Sequence, residues 1–428
     1  MPPFIGNMLQ IANRRAPGSS RCSHAKIPPT VEKLDARGDM MLLVGKQKCT
    51  DISCSDEGQN KQPNAICFHV SSAIIAGASP AFGLVLYSPS AEATKGDGVK
   101  WTVKLPDDDP QAMRTIIHIL YGYYPITPPD EHMNLEQLLH LTVLANKYDL
   151  VHLFPKWSAQ WVQDMEPYWV SKHFVRKSTE DLESLLWIFW VLGHEPLYTY
   201  MVLQIAFHSE LDAAGKLTDP AEQLCFTNEY RNVPVPPCAS VEAGHARIEV
   251  LKIIHKDIKE TLEQHLHGIQ RTNWLCCRRM DGEDDWGWRQ SVFKSFVEML
   301  EAEGIWPLPS AYMLTASPRS LVEIFRVNPN IPSFVHHHDG RFCDADGTFW
   351  ERIDKLLREI RFTLPAASAN HLGEQAVKSG LASSFKSMGP GLSPNKGNWN
   401  LKEILEFLEF QKAVAESESV PAEELYPH

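Results

Sequence analysis

The chain contains 428 residues, enough for two or three domains at the usual length of about 100–200 residues each. Apolar residues make up 43% of it, so buried cores are expected, but no apolar run reaches the ~18 residues that a membrane-spanning helix needs. The net charge of −12 argues against a general affinity for nucleic-acid phosphates, and the nine cysteines include no Cys-x-x-Cys pair. These properties predict an intracellular protein of the cytoplasm or nucleus that binds neither membranes nor nucleic acids.

The N-terminal segment is rich in proline and glycine and contains no acidic residue before Glu32. Its basic residues and lack of acids are also typical of a mitochondrial presequence, which is the alternative interpretation. Because its prolines interrupt any long helix, we predict a disordered tail over residues 1–34. Ordered structure is expected to begin with strands at 39–44 and 50–54.

A strand and a helical pair are predicted over residues 66–82. Apolar residues alternate with other residues over 66–70, which indicates a strand with one buried face. A short apolar helix follows, and Ser79 with Pro80 has the pattern of an N-cap followed by proline in the first turn of a second helix. We expect Phe82 of the second helix to pack against Ile74 of the first.

A second strand leads into an amphipathic helix. Residues 99–105 alternate again, and Asp109 followed by Pro110 predicts the start of a helix. The three aspartates at 107–109 are also conceivable cation ligands, but a helix start is the favoured interpretation. The apolar stripe of this helix consists of Met113, Ile116, Ile117 and Leu120, and Gly122 is expected to end it.

Two more helices are predicted in the same region. Asn134 and Gln137 have the spacing of a capping box, and the helix that they begin runs towards Lys147, Tyr148 and Asp149. The next helix is predicted to begin near Pro155, with Trp157 and Trp161 on one face.

These motifs closely resemble a BTB/POZ domain, in the variant common in filamentous fungi. Four segments match in the correct order: F-x-V-S-S-x-x-I-x-x-A-S-P-x-F at 68–82, L-P-D-D-D-P-x-A-M at 105–113, A-x-K-Y-D at 145–149 and P-x-W at 155–157. The residues that carry the resemblance are Phe68, Val70, Ser71, Ser79, Pro80, Phe82, Asp109, Pro110, Met113, Lys147, Tyr148 and Asp149. The resemblance implies an α+β fold in which a short sheet is flanked by helices, at residues 35–165.

The family resemblance also implies a function. BTB/POZ domains are non-enzymatic interaction modules that commonly form homodimers and can dock partner peptides or the cullin of a ubiquitin ligase. In cullin-binding members a hydrophobic-x-Glu motif follows the second helix, and here the aligned residues are Ser90, Ala91 and Glu92. Because a serine replaces the hydrophobic anchor, cullin binding is expected to be weak. Self-association or partner docking is the leading hypothesis, and a cullin substrate adaptor is the alternative.

The remainder of the chain is predicted to be mainly helical. Residues 246–271 show the most regular amphipathic pattern there, with apolar positions four residues apart. The predicted segments are a helical region at 166–362, a flexible linker at 363–398, a C-terminal helix at 399–416 and a tail at 417–428, with helices of the helical region expected near 180–210, 289–303, 318–326 and 348–361.

Two groups of residues resemble metal ligands. One is His336, His337 and His338 with Cys343 and Asp344, and the other is His265 and His267 with Cys276 and Cys277. Neither has zinc-finger spacing, and the sequence contains no nucleophile, dinucleotide or phosphate-loop motif. We therefore predict no cofactor, no metal and no enzymatic activity, and a metal-dependent enzyme in the helical half remains a separate hypothesis.

Overall fold

The structure is a computed structural model that describes residues 26–47, 64–87, 101–123, 132–169, 179–219, 223, 225–226, 234–267, 293–294, 297–327, 355–386, 398–400 and 402–404. Helices and strands are mixed, so the protein has an α+β fold. The chain divides into two compact units, Met1–Thr127 and Pro128–His428. Among the residues that the structure describes, no helix is both long enough and apolar enough to span a membrane.

The N-terminal unit is built on a four-stranded sheet. Its strands are β1 (Thr30–Lys33), β2 (Met40–Val44), β3 (Ile66–Val70) and β4 (Trp101–Leu105), arranged in the order β1-β3-β2-β4. Strand β3 runs parallel to β1 and antiparallel to β2, and β4 runs parallel to β2. The predicted strands at 39–44, 66–70 and 99–105 are thus confirmed in the described residues, whereas the one predicted at 50–54 lies outside them.

Strand β1 corrects the prediction of a disordered tail over residues 1–34. Its four residues, Thr-Val-Glu-Lys, are mostly exposed and include one apolar residue. The sequence therefore shows no alternation of apolar and polar residues that would indicate a strand. The strand is held by its partners instead: it pairs with β3, and Glu32 forms an ion pair with Arg114. Ordered structure therefore begins before residue 34.

Three helices accompany the sheet in this unit. Helix α1 (Ser72–Ala78) and helix α2 (Pro80–Tyr87) form a tight hairpin after β3, and α3 (Pro110–Leu120) follows β4. Helices α2 and α3 begin at the residues that the capping patterns predict, because proline at the first position and a side-chain acceptor just before it favour a helix start. The buried core of the unit includes Met40, Leu42, Val44, Phe68, Val70, Ile75, Phe82, Met113, Ile116 and Ile117.

The second unit is mainly helical. In chain order its next helices are α4 (Leu135–Lys147), α5 (Ser158–Asp164), α6 (Glu166–Trp169), α7 (Thr179–Leu192), α8 (Glu195–His208), α9 (Ala239–His267) and α10 (Pro318–Val327). Helix α5 begins at Ser158 and not near Pro155, because a 3-10 turn at Val151–Leu153 and a further turn precede it. The apolar residues of α9 that are four apart, from Val250 to Leu262, are buried as their spacing predicts.

The region after Met165 is mainly helical in the described residues, as predicted, but it also contains short strands. Two short antiparallel pairs lie within it: β5 (Glu210–Leu211) with β6 (Leu217–Thr218), and β7 (Arg361–Thr363) with β8 (Asn398–Asn400). Strand β7 shortens the helix predicted at 348–361, and β8 occupies the start of the helix predicted at 399–416. Two- and three-residue strands are too short to give a recognisable alternation.

The predicted flexible linker at 363–398 is wrong. Helix α11 (Ala366–Ser379) and helix α12 (Leu381–Lys386) occupy much of it, and α11 packs against α7. The buried side of α11 consists largely of small or polar residues, namely Ser368, Leu372, Gln375, Ala376 and Ser379. A buried face with so few large apolar residues produces no amphipathic pattern in the sequence, although the helix is well packed.

Candidate functional site

Strand β3 and the α1–α2 hairpin carry half of the twelve residues that resemble the BTB/POZ motif. Phe68 and Val70 end β3 with buried side chains, and Phe82 is also buried. Ser79 caps α2 as predicted, since the Phe82 backbone N–H donates to Ser79 Oγ at 3.0 Å, and Pro80 is the first residue of that helix. These motif residues therefore fix the start and the inner face of the hairpin.

Helix α1 is capped by a residue that the sequence did not indicate. Ser71 lies at the N-cap position but its side chain makes no capping hydrogen bond. Instead, Asp39 at the start of β2 accepts hydrogen bonds from the backbone N–H of Ser72 at 2.8 Å and from Ser72 Oγ at 2.7 Å. The backbone N–H of Ser71 donates to Tyr121 Oη at 2.7 Å. Asp39 lies 33 residues before Ser72, so only the folded chain brings the two together.

The two helices of the hairpin are held in close contact. Tyr87 near the end of α2 donates from Oη to Ser72 Oγ at 3.0 Å, and its ring lies 5.8 Å from that of Trp101 on β4. A Cβ added at Gly83 would lie 3.8 Å from the Ala76 carbonyl oxygen, which is ordinary contact distance. These contacts hold the two helices in a fixed position relative to each other and to the sheet.

Three large apolar side chains of the hairpin are exposed. Ile74 is 41% exposed, Leu84 56% and Tyr87 55%. We call these three residues the hairpin patch. Their exposure also corrects one expectation, because the neighbouring Ile75, at 1% exposed, is the residue of α1 that belongs to the core. Ile74 is therefore not the buried support for Phe82.

The third helix of the N-terminal unit is tied to β1 by a charged cluster. Asp109 caps α3 as predicted, since Ala112 N–H donates to Asp109 Oδ1 at 2.7 Å. Arg114 forms an ion pair with Glu32, and His118 Nε2 lies 3.8 Å from the same carboxylate. Burial lowers the pKa of His118, and this outweighs the opposing effect of Glu32. Because His118 is mainly neutral, the Arg114–Glu32 ion pair is the principal charged link between α3 and β1.

The A-x-K-Y-D residues of the motif lie in the second unit and have structural roles. Tyr148 is buried, and Lys147 Nζ lies 4.9 Å from the centre of its ring. Asp149 adopts a positive φ of 52° and forms an ion pair with Lys378 at 2.8 Å. These contacts end α4 and join it to α11, so they indicate no catalytic chemistry.

Several predicted site residues lie outside the described residues. They are the cullin-motif positions Ser90, Ala91 and Glu92, together with Cys276, Cys277, His336, His337, His338, Cys343 and Asp344. His265 and His267 lie in the last turn of α9, where only the backbone is described. Within the described part of the chain, no group of three or more His, Cys, Asp or Glu residues is arranged to hold a metal ion. Asp107 forms an ion pair with Lys46 at 3.2 Å.

The helical unit contains a buried polar network that the sequence did not reveal. Glu242 of α9 accepts hydrogen bonds from Tyr198 Oη at 2.6 Å and from Ser368 Oγ at 2.5 Å. Burial and the adjacent Glu242 raise the pKa of Tyr198, so its hydroxyl remains a proton donor. The network joins α8, α9 and α11, and its hydrogen bonds compensate part of the cost of burying a carboxylate.

A second buried polar group is Arg247, also on α9. Its guanidinium donates to four backbone carbonyls, those of Ser209, Leu314, Thr315 and Ala316. Burial lowers the pKa of Arg247 to about 10. These bonds fix the segment before α10 against the end of α8, which is a structural role.

No family model matches the chain, and no curated protein or solved structure matches it either.

Proposed function

We propose that this is a non-enzymatic protein–protein interaction protein that acts through residues 35–165, which resemble a BTB/POZ domain, and that it self-associates through the α1–α2 hairpin of that region. The observation that supports self-association is the hairpin patch. Ile74, Leu84 and Tyr87 are exposed on two helices that are fixed to each other and to the sheet. Apolar side chains on a rigid surface gain roughly 1.5–3 kcal/mol each when an interface buries them.

The test is the association state of the full-length protein and of the variant Leu84→Glu, by sedimentation velocity over a range of concentrations. Leu84→Glu places a charge in the proposed interface of each copy, so dimerisation should weaken at least tenfold. Val377→Glu is the matched control, because Val377 is 70% exposed on a helix of the other unit. This control should associate as the unmodified protein does.

Two outcomes would contradict the proposal. One is an unmodified protein that remains monomeric at every concentration, and the other is equal weakening by Leu84→Glu and Val377→Glu. Binding of a purified cullin N-terminal region, measured in parallel, would support the substrate-adaptor alternative. That alternative depends on Ser90, Ala91 and Glu92, and no contact of the described residues favours it.

We further propose that the protein functions in a reducing intracellular compartment such as the cytoplasm or nucleus. Among the cysteines that the structure describes, Cys67 and Cys238 are free thiols. Burial raises the pKa of Cys67, which keeps that thiol protonated and unreactive.

A further inference from the structure

Helix α11 presents a histidine to the aromatic side of α7. The His371 ring stacks on the Trp190 ring, with centroids 3.9 Å apart and planes inclined by 14°. His371 hydrogen-bonds to the Trp190 backbone, and its Nε2 atom is buried with no hydrogen-bond partner among the described residues. A neutral imidazole tolerates this environment because Nε2 is then an acceptor that carries no proton.

Several polar contacts help to hold α11 and α12 in place. Ser379 Oγ donates to the Leu192 carbonyl at 2.7 Å, and Ser158 Oγ donates to the Ser379 carbonyl at 2.7 Å. Lys378 bonds to Asp149 at 2.8 Å. The buried apolar residues of the two helices are Leu372, Ala376 and Leu381. With so little large apolar area, docking depends on hydrogen bonds and on the close fit of small residues.

One buried polar atom already weakens this interface. The side-chain oxygen of Gln375, one turn after His371, is buried without a hydrogen-bond partner within the described residues. An unsatisfied buried polar atom lowers the stability of the packing around it. Protonation of His371 would add the cost of burying a charge, with an unpaired N–H at Nε2, to this interface.

We propose that α11 and α12 form a clasp that docks on the helical unit while His371 is neutral and undocks when His371 is protonated. Protonation would place a charge in the stack and a proton on Nε2, for which the described residues offer no acceptor. The attraction between a cation and an indole ring opposes this effect. Burial lowers the pKa of His371 to about 4 from the ordinary 6.5, which outweighs the opposing effects of Glu374 and of the hydrogen bond to the Trp190 backbone.

Other charged and titratable groups lie on α11 and on the elements packed against it. On α11 itself, Glu374 favours protonation of His371 and Lys378 opposes it. Lys378 is bonded to Asp149. The neighbouring elements also carry His152 in the 3-10 turn, and His194 and Glu195 at the start of α8. The variants described below separate the titration of His371 from that of these groups.

The pKa difference fixes the direction of the effect. Above pH 6.5 His371 is neutral in both the docked and undocked states, and docking has its full strength. As the pH falls from 6.5 towards about 4, the undocked state binds a proton that the docked state resists, so docking weakens. A difference of two units or more corresponds to roughly a hundredfold change in the docking equilibrium.

The experiment is hydrogen–deuterium exchange on the full-length protein between pH 7.5 and 4, expressed as protection factors so that the intrinsic pH dependence is removed. Peptides covering 366–386 should lose protection roughly a hundredfold over this range. Peptides from α8, at 195–208, should retain theirs. Loss of protection in both segments at the same pH would indicate general acid unfolding and would overturn the proposal, as would constant protection of 366–386.

Two variants test whether His371 is the titrating group. His371→Phe keeps the stack on Trp190 and cannot be protonated, and His371→Asn keeps a side-chain donor for a backbone carbonyl. In either variant, if folded, protection of 366–386 should fall much less between pH 7.5 and 4 than it does in the unmodified protein. A decrease that follows the unmodified protein would assign the effect to another group, such as His194, and would overturn the proposal. If neither variant folds, the difference in protection between residues 366–386 and residues 195–208 of the unmodified protein still tests the proposal.

Discussion

At the scale of single residues, the side chain that caps α1 belongs to Asp39 and not to Ser71, the motif residue at the N-cap position. The Asp39 carboxylate accepts two hydrogen bonds from Ser72, whereas the Ser71 side chain caps nothing. Asp39→Ala should therefore lower the free energy of unfolding of the N-terminal unit by roughly 1–2 kcal/mol, and Ser71→Ala by less than about 0.5 kcal/mol. Native-state hydrogen exchange of residues 66–70 measures both. Equal losses would mean that Ser71 provides the cap.

Phe82 permits a second comparison within one helix. Its side chain is 1% exposed, whereas Leu84, two residues later, is 56% exposed. Phe82→Ala should cost roughly 3–5 kcal/mol because it opens a cavity in the core, and Leu84→Ala should cost less than about 0.5 kcal/mol. The free energy of unfolding from exchange at residues 66–70 is again the measurement. A loss below about 1 kcal/mol for Phe82→Ala would contradict its placement in the core.

At the scale of secondary-structure elements, local signals explain what the sequence predicted. Capping patterns placed the starts of α2, α3 and α4, since the Ser79, Asp109 and Asn134 caps are formed by residues within the same short segment. Alternation of apolar residues placed β3 and β4, whereas β2 is a continuous apolar run. Strand β1 and helix α11 lacked such signals, because their stability comes from partners that are distant in sequence.

The docking of α11 depends on a close approach at Gly193. This glycine has a φ of +78°, and a Cβ there would lie 2.1 Å from the backbone nitrogen of Ala376. Gly193→Ala should destabilise the helical unit by roughly 2–4 kcal/mol, through backbone strain and a steric clash. Gly215→Ala is the control: its φ is +75° with no atom within 4 Å, so only the strain of about 1 kcal/mol applies.

Exchange protection at residues 182–192 and 366–379 measures the effect of both glycine substitutions. Equal losses in the two variants would show that strain alone is responsible and that α11 does not approach Gly193 closely. Because the two glycines have similar positive φ angles, the difference between the two losses of protection measures the effect of the contact between Gly193 and α11.

At the scale of the whole molecule, the sequence and the structure place the end of the N-terminal domain at different residues. The family resemblance predicts a domain over 35–165, whereas the chain divides into compact units after Thr127. The two boundaries therefore assign helices α4 and α5 to different parts of the protein. Local patterns identify elements but contain little information on which core each element joins, since that depends on contacts between distant segments.

Fragments decide between these boundaries. The N-terminal unit has its own buried core, so a fragment covering 26–127 should melt cooperatively. A fragment covering 34–127 lacks β1 and the Glu32–Arg114 ion pair, and should melt about 5–15 °C lower because it loses roughly 1–2 kcal/mol. Differential scanning calorimetry measures both transitions. If 26–127 shows no transition while 26–166 melts cooperatively, the helices α4 and α5 complete the domain, and the boundary near Met165 is correct.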